Sequence, residues 1–199
     1  MHNPPDPRPA GVVGPNTVIQ LARALEGDSG PEALHRVFDE AGCSTFLQAP
    51  PCDMIDQAIP ARLFASLWSN LPDKVAGRIA ADAGQRTARY IVENRIPPLV
   101  RFALRTAPRS LARRLLLRAI VRNAWTFAGS GHCTAKHGDP TKVEIIANPI
   151  AMPDCVWHKA VFAELFKTLI GGPMHICHTD CCLRGAAACR FELTFAPGR

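Results

Sequence analysis

The sequence predicts an α+β fold, with helices packed on a small antiparallel sheet. Apolar residues recur at helical spacing through most of the chain as far as Arg122. A strand over residues 142–147 follows a turn made by Gly138, Asp139 and Pro140. The chain then closes on an alternating run, in which Phe191, Leu193 and Phe195 face one side and Glu192 and Thr194 the other. Helices first, strands later and one continuous apolar pattern give an α+β domain rather than a bundle or a sandwich.

Residues 1–15, rich in proline and small or polar residues, read as a mobile arm before a single domain over 16–199. Asn16 is placed to cap a first helix with Val18, Leu21, Ala22 and Leu25 on one face. A second helix starts at Pro31, buries Leu34, Val37, Phe38 and Ala41, and stops at Gly42. Cys43 and Cys52 flank a proline-containing loop and read as packing residues. Leu63, Phe64, Leu67 and Trp68 mark the next helix; Val75, Ile79, Ala83, Thr87, Tyr90 and Ile91 mark a longer one after Pro72. Pro97 and Pro98 end that helix and begin another.

From Glu93 to Asp139 no acidic residue intervenes, while arginines stand at 95, 101, 105, 109, 113, 114, 118 and 122. Leu111, Leu115, Ala119 and Ile120 read as the buried face of this segment. A solvated face is the ordinary use of such a charge run; an anionic membrane surface or an acidic ligand are the sharper readings. No nucleic-acid partner is expected, because no recognition motif or interleaved aromatic set accompanies the arginines. Trp125 and Phe127 alternate in the following stretch, ahead of Gly129, Ser130, Gly131 and His132. A helix over 156–170 encloses Val161, Leu165, Phe166 and Leu169, with Cys155 just before it.

The chain has 199 residues, 47% hydrophobic and 20% charged, the composition of an ordinary globular domain. No apolar run reaches the ~18–20 residues that span a bilayer. The N-terminus lacks a signal-peptide layout, so the expected location is the cytoplasm, with contact at the inner membrane surface as an addition. There the eight cysteines are expected as thiols or metal ligands.

Residues 175–195 hold four of those cysteines and read as a hairpin with thiols on both sides of its turn. His178, Cys181 and Cys189 suit zinc, with Cys177 and Cys182 as spares and Cys155 as a further donor. Reduced, buried cysteines packing as small hydrophobes are the alternative.

A cysteine, an apolar helix, then a ligand three residues before Cys-x-x-x-Gly-x-x-x-Cys-x-Phe resembles the end of a 4-vinyl reductase domain. The resemblance implies a structural zinc on Cys155, Cys181 and Cys189, with His178 where the related aromatic sensors carry a glutamate. Asn-Ala-Trp-Thr-Phe-Ala-Gly-Ser-Gly, the arginine–leucine helix, and Gly14, Pro15 and Asn16 extend it over residues 14–195. Over that span it is closest to the members that serve bacteriochlorophyll biosynthesis in purple bacteria. It implies a role on a magnesium tetrapyrrole, either reduction of a vinyl group or delivery between pathway enzymes. By fold analogy it also implies a homodimer.

No dinucleotide fingerprint or iron–sulfur cysteine run is visible, so the reading leans away from an enzyme and towards a carrier or chaperone for a Mg-protoporphyrin-type ligand. Arg114, Arg118 and Arg122 are the expected propionate contacts, Trp125 and Phe127 the stacking walls, and His132 the magnesium ligand. A 4-vinyl reductase fed by an external electron donor is the second reading. An aromatic sensor or membrane-associated scaffold is the third.

Overall fold

The computed structural model describes residues 11–172 and 174–195. The expected arm lies outside the described residues as far as position 10. Residues 11–15 are part of the folded body instead. Strand β1 (Val12–Val13) pairs antiparallel with β2 (Ile55–Asp56), and the Gly14 N–H donates to the Thr126 carbonyl at 2.8 Å.

Helix α1 (Asn16–Glu40) is broken at Gly30, whose φ of 79° and ψ of 176° leave the helical region, so Pro31 opens a second helical segment as expected. Asn16 does not cap it. Pro15 occupies the cap, and the Asn16 Oδ1 accepts from Gln20 Nε2 at 3.2 Å. The short α2 (Thr45–Gln48) leads through β2 to α3 (Ala58–Asn70) and to the long α4 (Asp73–Arg95). Proline opens both following helices, α5 (Pro98–Thr106) at its first position and α6 (Arg109–Arg122) at its cap. The single turn α7 (Trp125–Ala128) precedes β3 (His132–Lys136) and β4 (Thr141–Ile146). Helix α8 (Val156–Leu169) separates these from the final hairpin, β5 (Met174–Asp180) and β6 (Ala188–Phe195).

The main sheet is antiparallel in the order β3-β4-β6-β5. Its inner face carries Val143, Ile145, Phe191 and Leu193, all essentially buried, while Lys142, Glu144, Arg190 and Glu192 face outward. Helix α8 lies on this inner face and α4 packs along α8, with α1 on the far side of α4. The α4–α8 approach is close because Gly84 lacks a side chain: a Cβ there would sit 2.5 Å from the Trp157 carbonyl oxygen.

Two expectations fail. Leu111, Leu115 and Ala119 are exposed, and α6 buries Ala112, Leu116, Leu117 and Ile120 instead. Trp125 and Phe127 do not alternate in a strand. They belong to the α7 turn, which ends where Gly129 takes φ +53° against the side chain of Gln57.

Candidate metal centre and adjoining cavity

The β5–β6 hairpin turns through a single 3-10 turn, and Gly185 at φ +83° closes it as a left-handed cap. This geometry sets Cys181, at the end of the first strand, beside Cys189 in the second. Cys155 comes from the other side, at the start of α8. Its neighbour Asp154 and Cys155 itself adopt φ of 53° and 42°, left-handed values that cost a non-glycine residue about 1–2 kcal/mol each. That distortion points the Cys155 thiol inward. Its Sγ lies 3.4 Å from Cys189 Sγ and 3.8 Å from Cys181 Sγ. With His178 added, four ligand atoms lie within 4.8 Å of one another.

The electrostatics suit a cation. Cys189 is held far below the ordinary thiol range, first by the S–H of Cys155, and then by His178, the Cys182 N–H and the Asn148 amide, against the opposing pull of burial. The hydrogen bond to Cys189 and burial push Cys155 up, and burial pushes Cys181 up. A thiolate among buried thiols at a helix N-terminus is thus already charged. His178 Nδ1 lies 3.3 Å from the Asp154 carboxylate, whereas its buried Nε2 has no hydrogen-bond partner. A carboxylate behind one ring nitrogen fixes the proton there and frees the other for a metal. A tetrahedral zinc with bonds of about 2.3 Å to sulfur needs ligand atoms roughly 3.8 Å apart. The donors present fit that group.

The other cysteines stay out of the cluster. Cys43 and Cys133 are buried, and burial raises the Cys133 thiol to about 12. Cys52 is exposed, which corrects its reading as a packing residue. Cys177 is exposed on the outer sheet face, and Cys182 contributes its backbone N–H to Cys189 at 3.4 Å.

On the other side of the α8 N-terminus lies a cavity of ≈ 470 Å³. Trp125, Phe127 and Trp157 supply aromatic walls, Ile120 and Val161 aliphatic ones, and Arg95 a cation. Tyr90, Thr87, Asn16 and Asn123 add polar groups to a lining that is otherwise apolar. The buried indole Nε1 of Trp157 has no acceptor among the described residues. Cavity and cysteine cluster are joined by rings. Phe127 meets His158 edge-on at 6.4 Å, His158 tilts against Phe191 at 6.2 Å, and Phe191 stacks on His178 at 5.0 Å.

Over 187 residues the chain is 38% identical to the bacteriochlorophyll synthase 23 kDa chain of Cereibacter sphaeroides, covering 91% of this chain and 89% of that protein. The chain belongs to that family, BchJ. The BchJ relative from Rhodobacter capsulatus is 31% identical, over 91% of this chain and 86% of its own length. The family model of the 4-vinyl reductase domain matches residues 147–195, the part of this BchJ-family chain that holds all four clustered residues. Among solved structures, an H-NOX protein studied for haem distortion superposes with a TM-score of 0.62 at 12% identity, covering 94% of this chain and 97% of that one. The S. oneidensis H-NOX protein gives 0.56 at 10% identity, covering 93% and 100%. At such identities the likeness is one of fold.

The residues singled out from sequence in this BchJ-family chain divide in two. Cys155, His178, Cys181 and Cys189 converge. Trp125 and Phe127 line the cavity, but Arg114, Arg118, Arg122 and His132 do not. At about 100° per residue, those three arginines fall on the face of α6 opposite Leu116 and Ile120. His132 is exposed at the start of β3. Arg95, Tyr90 and Trp157 were missed as cavity residues. Only Trp157 left a signal, by standing two positions after Cys155 in an apolar helix.

Proposed function

We propose that this chain is a tetrapyrrole-binding carrier of bacteriochlorophyll biosynthesis, with a structural zinc on Cys155, His178, Cys181 and Cys189. The observation that carries the reading is the aromatic-walled cavity, in a fold shared with H-NOX proteins of which one was studied for its haem distortion, within a family named for bacteriochlorophyll synthase. A flat, largely apolar macrocycle with acidic side arms needs stacking surfaces and a cation. Trp125, Phe127 and Trp157 are the surfaces, Arg95 is the cation, and the Trp157 N–H is a donor awaiting an acceptor. His132 drops out as an axial ligand because it lies outside the lining. The family name points to pathway enzymes as partners. A homodimer rests on fold analogy alone.

In this scheme the zinc contributes charge neutralisation and a cross-link, and its four protein ligands make a closed, structural site. The cluster fixes the first turn of α8, and that turn presents Trp157 to the cavity. Metal and ligand sites are therefore built on one element.

Titration of the purified chain with Mg-protoporphyrin IX and its monomethyl ester, followed by absorbance, tests the proposal. Saturable micromolar binding is expected, about ten-fold weaker in Trp125→Ala and unchanged in Arg118→Ala, whose side chain lies on the far face of α6. Absence of saturable binding overturns the carrier. Conversion of the vinyl group to ethyl when reductant is added identifies a vinyl reductase instead.

A further inference from the structure

Helices α5 and α6 expose apolar side chains that the core does not account for. Seven large hydrophobic residues are exposed among the described ones, and five belong to these two consecutive helices: Leu99, Val100, Phe102, Leu111 and Leu115. Leu99 is 82% exposed and Phe102 68%. Scattered exposed leucines are ordinary on any protein, but clustering of this kind marks an interaction surface.

The arrangement within α5 is directional. Leu104 is its one fully buried side chain, and Arg105 Nε donates to the Thr168 carbonyl at the end of α8 at 3.1 Å. At about 100° per residue, Leu99, Phe102, Ala103 and Thr106 share the side away from Leu104. On α6 the same geometry puts Leu111, Leu115, Arg114, Arg118 and Arg122 on one outward face. No acidic residue occurs between Glu93 and Asp139. The patch thus combines protruding apolar groups with charge of a single sign, on helices too short and too polar to cross a bilayer.

We infer that α5 and the outward face of α6 dock this chain on an anionic lipid bilayer, with Leu99 and Phe102 entering the acyl boundary and the arginines meeting lipid phosphates. Charge decides the occupant. A second copy of the same face would set arginine against arginine, with no acid in the segment to compensate. A bilayer of anionic lipids supplies smeared negative charge with no required pattern, and beneath it an apolar layer for Leu99 and Phe102. Arginine stems can lie along that layer while their guanidinium groups stay at headgroup level. The inference is independent of the tetrapyrrole, since none of these outward side chains lines the cavity.

Co-sedimentation of the intact chain with phosphatidylcholine vesicles, with and without one quarter phosphatidylglycerol, tests it without any pigment. Binding to the anionic vesicles is expected at low salt, falling at about 1 M salt. Leu99→Ser/Phe102→Ser should weaken it about ten-fold or more with all arginines in place. Both positions are exposed, so the variant keeps the native circular dichroism spectrum. Arg114→Gln/Arg118→Gln/Arg122→Gln should remove most of the preference for anionic lipid. Brominated-lipid quenching should reach a tryptophan placed at Phe102, read as the difference from the parent chain. Three results overturn the inference: no binding to anionic vesicles, equal binding by the Leu99/Phe102 variant, or a salt-sensitive complex with an acidic pathway protein in place of vesicle binding.

Discussion

At the scale of single residues, the metal cluster depends on groups behind the ligands. Asp154 stands behind His178 and also pairs with Lys159, and it holds a left-handed backbone that asparagine tolerates. Asp154→Asn should therefore keep the fold and weaken zinc about ten-fold, read by competition with a chromophoric chelator. His158 carries a second expectation. It is fully buried, and desolvation lowers its pKa to about 4. The unfolded chain takes up that proton near pH 6.5, so stability is complete above this value and falls as pH drops towards 4. Between pH 7 and pH 5 the parent chain should lose about 2 kcal/mol more than His158→Phe in urea unfolding. The cluster is common to both proteins and cancels in the difference. None of this was legible beyond the ligands themselves: the sequence sets Cys155 well before Cys181, and only the packing of α8 against the hairpin brings Asp154 to His178.

At the scale of elements, the helices were legible where apolar residues mark one face and illegible where they mark several. In α3, α4 and α8 the periodic residues are the buried ones, because polar residues fill the other phases. In α6 leucines stand at 111, 115, 116 and 117 and so sample every side of the helix. Burial was then decided by what lies opposite: Leu116 and Leu117 meet the core, while Leu111 and Leu115 face solvent. The α7 turn was illegible for another reason. Gln57 accepts from the Ser130 N–H at 2.7 Å and donates to its hydroxyl at 3.0 Å, across a separation of 73 positions. The α4–α8 contact makes its own prediction. Gly84→Ala pushes a methyl group against the Trp157 carbonyl, so the helices must separate and stability should fall by about 1–3 kcal/mol in chemical denaturation.

At the scale of the whole molecule, the α+β architecture and the final hairpin followed from pattern alone, whereas the cavity did not. Its walls come from α1, α4, α6, α7 and α8, elements far apart in the chain. The cysteine cluster and the cavity share the first turns of α8, so metal removal should be felt in both. Cys181→Ala, or chelation of the parent chain, should lower the melting temperature on the order of 10 °C and abolish Mg-protoporphyrin binding together. An unchanged melting temperature and metal content in Cys181→Ala would refute the zinc assignment. Helix α6 has a similar double standing, for one side of it walls the cavity and the other meets the surroundings. Any displacement of α6 is shared by both sides, and equilibrium coupling has no preferred direction. If occupying the cavity strengthens attachment on the outside by some factor, attachment must strengthen retention inside by that same factor. The helix would then act as a ratio-setter between loading and anchoring, and measuring either affinity with the other site filled gives that ratio.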